Sequence, residues 1–224
     1  MDTNGNVYTF VYASVMVIIV AFLLAFVSSA LKPVQDANVE NDTKGQILTA
    51  LGYDKASINV GDVYEENVTD MLYKDGALVK YSGKFNTAYG QLIKDGELHG
   101  FVGKTADGKD AYVIPVTGRG LWGGLWGYIA VDAQKENVVG TYFYHESETA
   151  GLGARIGERD FQEQFENRPI FGDNGEVALT VVKKGAGDDT FLVDGITGAT
   201  LTSKGVGAMV TEGLSQYKEF LNNK

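Results

Sequence analysis

Residues 7–31, VYTFVYASVMVIIVAFLLAFVSSAL, run 25 positions without a charge between Asp2 and Lys32. At about 1.5 Å per residue, a helix of this length reaches about 37 Å, enough to cross a hydrocarbon core of about 30 Å with tilt. The pattern predicts one membrane span. A cleaved signal peptide is the rival, since Ser28 and Ala30 are small residues of the kind found near cleavage sites. No Lys or Arg precedes Lys32, however, and the run exceeds the usual apolar core of about 7–15 residues, which favours an uncleaved anchor. Lys32 and Lys44 follow the span, so a literal positive-inside count puts the large domain in the cytoplasm, on a small asymmetry.

Beyond the span the pattern changes twice. Residues 38–52, NVENDTKGQILTALG, read as a separate juxtamembrane helix with Val39, Ile47, Leu48 and Leu51 as apolar positions and Gly52 as its stop. The middle of the chain carries short runs rich in β-branched and aromatic residues, ALVKYSG, AYVIPVTG, WGYIAVD, NVVGTYFYHES, VALTVVKKG and TFLVDG, separated by Gly, Asp or Asn. They predict at least five strands. Residues 158–169, ERDFQEQFENRP, predict a short helix with Phe161 and Phe165 on one face and Pro169 at its end. Val206, Met209, Val210, Gly213, Leu214, Tyr217, Phe220 and Leu221 form a stripe of helical period, predicting a terminal helix. Strands in the middle and helices at the ends indicate an α+β fold with a mainly antiparallel sheet, because βαβα alternation is absent. The expected organisation is an anchor over residues 1–31 and one soluble domain over residues 32–224.

Composition narrows the chemistry. The formal net charge is −10, which argues against general nucleic-acid binding, since phosphate contacts require a positive surface. The absence of cysteine excludes thiolate-ligated clusters and disulfides. With only His99 and His145 present, a multi-histidine metal site is not expected, and neither HExxH nor GxSxG occurs. His99, in KDGELHG, reads as part of a turn.

Glycine is the conspicuous residue. Residues 117–130 (TGRGLWGGLWGYIA), 145–157 (HESETAGLGARIG) and 194–203 (DGITGATLTS) each combine glycines with aromatic or hydroxyl residues. One such cluster usually means a turn that needs positive φ; three in one domain suggest a site. In the last cluster, Thr202 or Ser203 is expected to N-cap the terminal helix, whose first N–H groups carry partial positive charge. Gly195, Gly198 and Ala199 allow close approach of backbone to a ligand, and the hydroxyls of Thr197, Thr200, Thr202 and Ser203 can bond oxygen. This is a phosphate-site pattern. A P-loop is excluded, since Lys204 follows Ser203 instead of preceding it; Lys204 itself is expected in solvent.

DGITGATLTS closely resembles the D-[GA]-x-[ST]-G-A-T-x-[TS]-S motif of the FMN-binding domain family that carries covalent flavin. Further resemblance lies in the N-terminal span, Gly118 to Trp122 (GRGLW), Glu148 to Gly153 (ETAGLG), VVKKGA and the terminal helix. The chain is similar to the C subunits of sodium-translocating NADH:quinone oxidoreductases, a family whose close relatives are the G subunits of Rnf complexes. The resemblance implies FMN linked through its phosphate to Thr200, with Thr197, Gly198, Ala199, Thr202 and Ser203 around the phosphate end. It also implies that Leu121, Trp122, Glu148, Thr149, Gly151, Leu152 and Gly153 lie against the isoalloxazine ring. Ala150 departs from the family's usual proline, a change expected to loosen that loop. The implied role is electron relay, without a complete catalytic site on this chain. The implied partners are other membrane subunits and a flavin transferase using FAD, with the soluble domain on the periplasmic side of the inner membrane. Open alternatives are an Rnf subunit, a membrane-anchored sensor, and a ligand-binding module without flavin in which the glycines are turns.

Overall fold

The computed structural model describes residues 5–83, 85, 98–185 and 189–223. In chain order, helices α1 (Asn6–Ala50) and α2 (Val60–Asn67) lead into strands β1 (Val68–Lys74), β2 (Ala77–Lys80), β3 (Leu98–Lys104), β4 (Asp110–Arg119), β5 (Gly124–Asp132) and β6 (Val138–His145). Then come a 3-10 turn (Gly153–Gly157), α3 (Arg159–Gln162), a second 3-10 turn (Glu163–Phe165), β7 (Thr180–Val182), β8 (Leu192–Asp194), α4 (Thr200–Gln216) and α5 (Lys218–Asn222). The chain divides into two units, residues 1–40 and residues 41–224.

The first unit is the apolar part of α1. Its large side chains, Phe10, Ile18, Phe22 and Leu24 among them, are exposed, as a lipid-facing helix requires. The expected break before the juxtamembrane helix does not occur: α1 continues through Pro33 and the charged residues that follow. The loss of hydrophobic pattern at Lys32 marks a change of surroundings, not of backbone conformation. Gly52 does stop the helix. At φ +87° it lets the Gly52 N–H reach Thr49 O (3.0 Å) and the Tyr53 N–H reach Leu48 O (3.0 Å), the paired bonds of a Schellman cap.

The second unit is built on a six-stranded antiparallel sheet of order β2-β1-β3-β4-β5-β6. Strand alternation divides its side chains between two cores. Val113, Tyr128 and Ala130 face Ile47, Leu48 and Leu51 from the last turns of α1, with Tyr64 and Phe101. Ile114, Val116, Leu125, Ile129 and Phe143 face the opposite way, toward Val206, Met209, Val210 and Leu214 of α4. A two-stranded parallel pair, β7 with β8, completes the fold beside α4. The α+β, mainly antiparallel expectation holds. The strand pattern does not predict β1 and β3, because neither run is dominated by β-branched or aromatic residues.

Two local expectations are corrected. His99 lies in β3, buried, its carbonyl accepting from the buried Tyr217 hydroxyl; the rest of KDGELHG up to residue 97 lies outside the described residues. The helix expected over residues 158–169 shrinks to α3 and one 3-10 turn. Phe161 and Phe165 are nonetheless buried together, with ring centroids 5.7 Å apart.

Candidate functional site

The three glycine clusters converge on one carboxylate. Glu148, in the turn after β6, is buried. Its Oε1 accepts from the Trp122 N–H at 2.8 Å, in the turn between β4 and β5. Its Oε2 accepts from the Thr202 hydroxyl at 2.6 Å, in the first turn of α4. Burial works to raise the Glu148 carboxyl. The hydrogen bonds from Thr202 and from the backbone N–H groups of Trp122, Gly123 and Leu121 outweigh it and hold the group below its ordinary value.

Glycine is required where the chain packs against this carboxylate. A Cβ on Gly153 would lie 2.5 Å from Glu148 Oε2 and 2.6 Å from Thr202 Oγ1, and one on Gly120 would run into Glu148 Oε1. The two loops are zipped further by Glu146 N–H to Gly124 O (3.0 Å), Gly124 N–H to Glu146 Oε2 (3.1 Å) and the Ser147 hydroxyl to Trp122 O (3.0 Å). His145 adds its Nδ1 as acceptor for the Glu148 N–H at 3.2 Å. The Ala150 departure leaves the loop closed, since the N–H groups of Leu152 and Ala154 both reach Thr149 O at 3.1 Å.

The expected N-cap is overturned. Helix α4 begins at Thr200, with Ala199 in the capping position and no side-chain cap. Thr202 is already inside the first turn, and its hydroxyl is spent on Glu148. Ser203 closes the preceding turn instead: its Oγ donates to Ala199 O (2.9 Å) and accepts from the Ile196 N–H (2.9 Å). The first helical bond is Ser203 N–H to Ala199 O, so the N–H groups of Thr200, Leu201 and Thr202 precede the helical ladder and point out of the helix end.

Of the predicted ligand residues, Thr197, Gly198 and Thr200 are exposed, while Ala199, Thr202 and Ser203 are buried. Gly198 has φ +84°, a conformation that disfavours other residues. Leu121 and Trp122 are 48% and 66% exposed, and Leu152 is 41% exposed with its Cδ2 next to Gly198, so the apolar members form an open surface and not a closed pocket. Thr149 and Gly151 are exposed in the same loop, and Gly153 is buried beneath it.

On the side of Thr200 lined by β7, a cavity of about 560 Å³ is bounded by Val181, Val182, Ile196, Thr197 and Ser203, and by Lys183, Lys184 and Lys204. Lys184 and Thr197 also line an adjoining cavity of about 260 Å³ together with Arg155 and Gln164. Lys204 is exposed as expected, yet it borders the cavity. Lys183 and Lys184 lie in VVKKGA, a segment of the family resemblance, but nothing in the local pattern marks the two cations as site residues.

The FMN-binding domain family model matches residues 120–215, a span that contains most of these loops and α4. The C subunit of the Na(+)-translocating NADH-quinone reductase of Haemophilus ducreyi is 31% identical over 221 residues, covering 84% of this chain and 82% of its own. The chain belongs to the family of these C subunits. The crystal structure of the corresponding C subunit from Parabacteroides distasonis is 36% identical, covers 87% of this chain and 98% of its own, and superposes with a TM-score of 0.76. The Shewanella oneidensis NqrC structure, at 22% identity and a TM-score of 0.69, shares the fold.

Proposed function

We propose that this chain is a membrane-anchored, FMN-bearing, electron-carrying subunit of a sodium-translocating NADH:quinone oxidoreductase, with FMN held as a phosphoester on Thr200. The observation that carries this reading is the setting of the Thr200 hydroxyl. It is exposed at the first position of α4, beside the outward N–H groups of that turn and at the edge of a cavity bearing three lysines. Those groups suit a phosphate, since amides and ammonium groups donate hydrogen bonds and neutralise charge. FMN supplies the redox chemistry when bound; this chain positions it.

Glu148 acts as the frame of the site. By gathering the N–H groups around Trp122 and the Thr202 hydroxyl, it fixes both loops relative to the first turn of α4, and Gly120 and Gly153 make room for it. No general base stands beside Thr200 among the contacts described, which accords with attachment by a separate flavin transferase. In that step Thr200 Oγ bonds to the flavin phosphorus of FAD, the bond to AMP breaks, and the hydroxyl proton passes to a base on the transferase. A covalent tether dispenses with a deep enclosing pocket and leaves the flavin open to neighbouring subunits, as relay requires. NADH oxidation and quinone reduction then belong to other subunits. The soluble domain lies on the periplasmic side of the inner membrane in this reading, against the weak lysine asymmetry.

The test is co-production with a flavin transferase followed by denaturing electrophoresis and in-gel fluorescence. The expected result is a flavin signal that survives denaturation and disappears in Thr200→Val. A signal that persists in the variant sinks the tether assignment.

A further inference from the structure

We propose that Glu148, beyond framing the site, lowers the midpoint potential of the flavin, because its buried negative charge opposes the negative charge that reduction places on the ring. The inference rests on the reading that FMN is tethered at Thr200.

Glu148 is the only carboxylate among the buried side chains of the described residues, at 7% exposure. Burying an ion is costly unless it is paired or well hydrogen-bonded. Its charge is met by dipoles and not by a cation: the partners are the Thr202 hydroxyl and the backbone N–H groups of Leu121, Trp122 and Gly123. These bonds hold the carboxyl below its ordinary value, so it is ionised at neutral pH. Donated dipoles orient and stabilise the ion, yet a full unit of charge stays in the site.

That charge stands close to the tether. Glu148 Oε2 accepts from Thr202, two positions after Thr200 and so about 3 Å further along the helix axis. The loop carrying Glu148 also touches the turn before Thr200, since a Cβ on Gly198 would lie 3.1 Å from Leu152 Cδ2. The other charges lining the cavities beside Thr200 have both signs, Lys183, Lys184, Lys204 and Arg155 against Asp160 and Asp194. None of them is buried, so solvent and salt screen them more than they screen Glu148. Gain of two electrons and one proton adds one negative charge to the ring. A fixed negative charge nearby raises the energy of the reduced form and lowers the potential. The flavin then becomes a weaker acceptor and a stronger donor.

The experiment is an anaerobic dithionite titration, with an indicator dye, of the full-length flavinylated protein and of its Glu148→Gln and Thr202→Ala variants. It is run in low salt and in about 1 M salt, where screening shortens to about 3 Å. Glu148→Gln removes the charge. Thr202→Ala keeps the charge and removes a donor that offsets it. The expected shifts are therefore opposite: at the potential where the parent is half reduced, the Gln variant is several-fold more reduced and the Ala variant more oxidised, at both salt concentrations. A purely structural frame is loosened at the same joint by both substitutions. Shifts of one sign, no shift, or a Gln shift abolished by salt overturn the proposal. If Glu148→Gln takes up no flavin, Thr202→Ala decides: a lowered potential supports the proposal, and an unchanged or raised one overturns it. Failure of the tether is read separately, as flavin that persists on denaturing gels in Thr200→Val.

Discussion

Glu148 is a buried carboxylate whose hydrogen bonds come from two separate places, the turn between β4 and β5 and the first turn of α4, so its loss is felt by both. Replacing Thr202 by Ala removes a hydroxyl donated to a buried carboxylate. A hydrogen bond to a charged group contributes about 1.5–3 kcal/mol. Urea unfolding of Thr202→Ala is therefore expected to show a loss of that size with flavin retained, more than a surface helix cap would give. The pH dependence has a definite sign. The folded-state carboxyl is held below its ordinary value, so its contribution is fully present above the unfolded value of about 4.3 and is lost as pH falls through the folded value. Glu148→Gln is expected to be less stable at neutral pH and to show a flatter loss of stability below about pH 4.3 than the parent. Chemical unfolding between about pH 3 and 7 reads this directly; parallel curves for the two proteins would remove Glu148 from the role of charged frame.

Helix α4 joins the site to the sheet through small residues. A Cβ on Gly205 would collide with the Arg119 carbonyl, and one on Gly213 would lie 2.5 Å from Val116 Cγ1. Glycine in a helix costs about 1 kcal/mol relative to alanine, so Gly205→Ala gains that much in propensity. Overpacking costs about 1–3 kcal/mol. The atom struck in this case is backbone, held in the β4–β5 ladder, and it cannot rotate away. The clash is expected to win, giving a net loss of up to about 2 kcal/mol in thermal or urea unfolding. A stabilised Gly205→Ala would mean that α4 sits farther from β4 than described. The same close packing explains why α4 begins at Thr200 without a side-chain cap. Ser203 and Ala199 close the turn from inside, and the amides of Thr200, Leu201 and Thr202 stay outside the helical ladder.

At the scale of the whole molecule, the two units have opposite surfaces. Residues 1–40 present exposed apolar side chains, whereas residues 41–224 bury two cores on the faces of one sheet. The boundary falls within α1, whose last turns carry Ile47 and Leu48 into the second unit's core. Removal of residues 1–40 is expected to yield a soluble protein with an unfolding midpoint close to that of the detergent-solubilised parent. Removal through residue 52 deletes Ile47, Leu48 and Leu51 and is expected to cost several kcal/mol, since each large buried aliphatic truncation costs about 2–5. Circular dichroism melts of the two truncations distinguish the cases; equal midpoints would show that the last turns of α1 are dispensable.

The local pattern by itself determined the apolar anchor, the Gly52 stop, the antiparallel character of the sheet and the apolar stripe of the last helix. Each depends on periodicity or on a backbone preference carried by neighbouring residues. It also indicated that a glycine turn leads into the last helix, though it placed the helix start at Thr202 or Ser203 and not at Thr200. Only the tertiary structure decided that Glu148 bonds to Thr202 across 54 positions and to the Trp122 amide across 26. Tertiary structure alone likewise brought the end of β7 beside Thr200, putting Lys183 and Lys184 on the rim of its cavity. Thr202 reads as a cap in the sequence because a hydroxyl near a helix start serves its own backbone unless something stronger is in reach. A buried carboxylate is stronger, and no local sequence pattern records its approach.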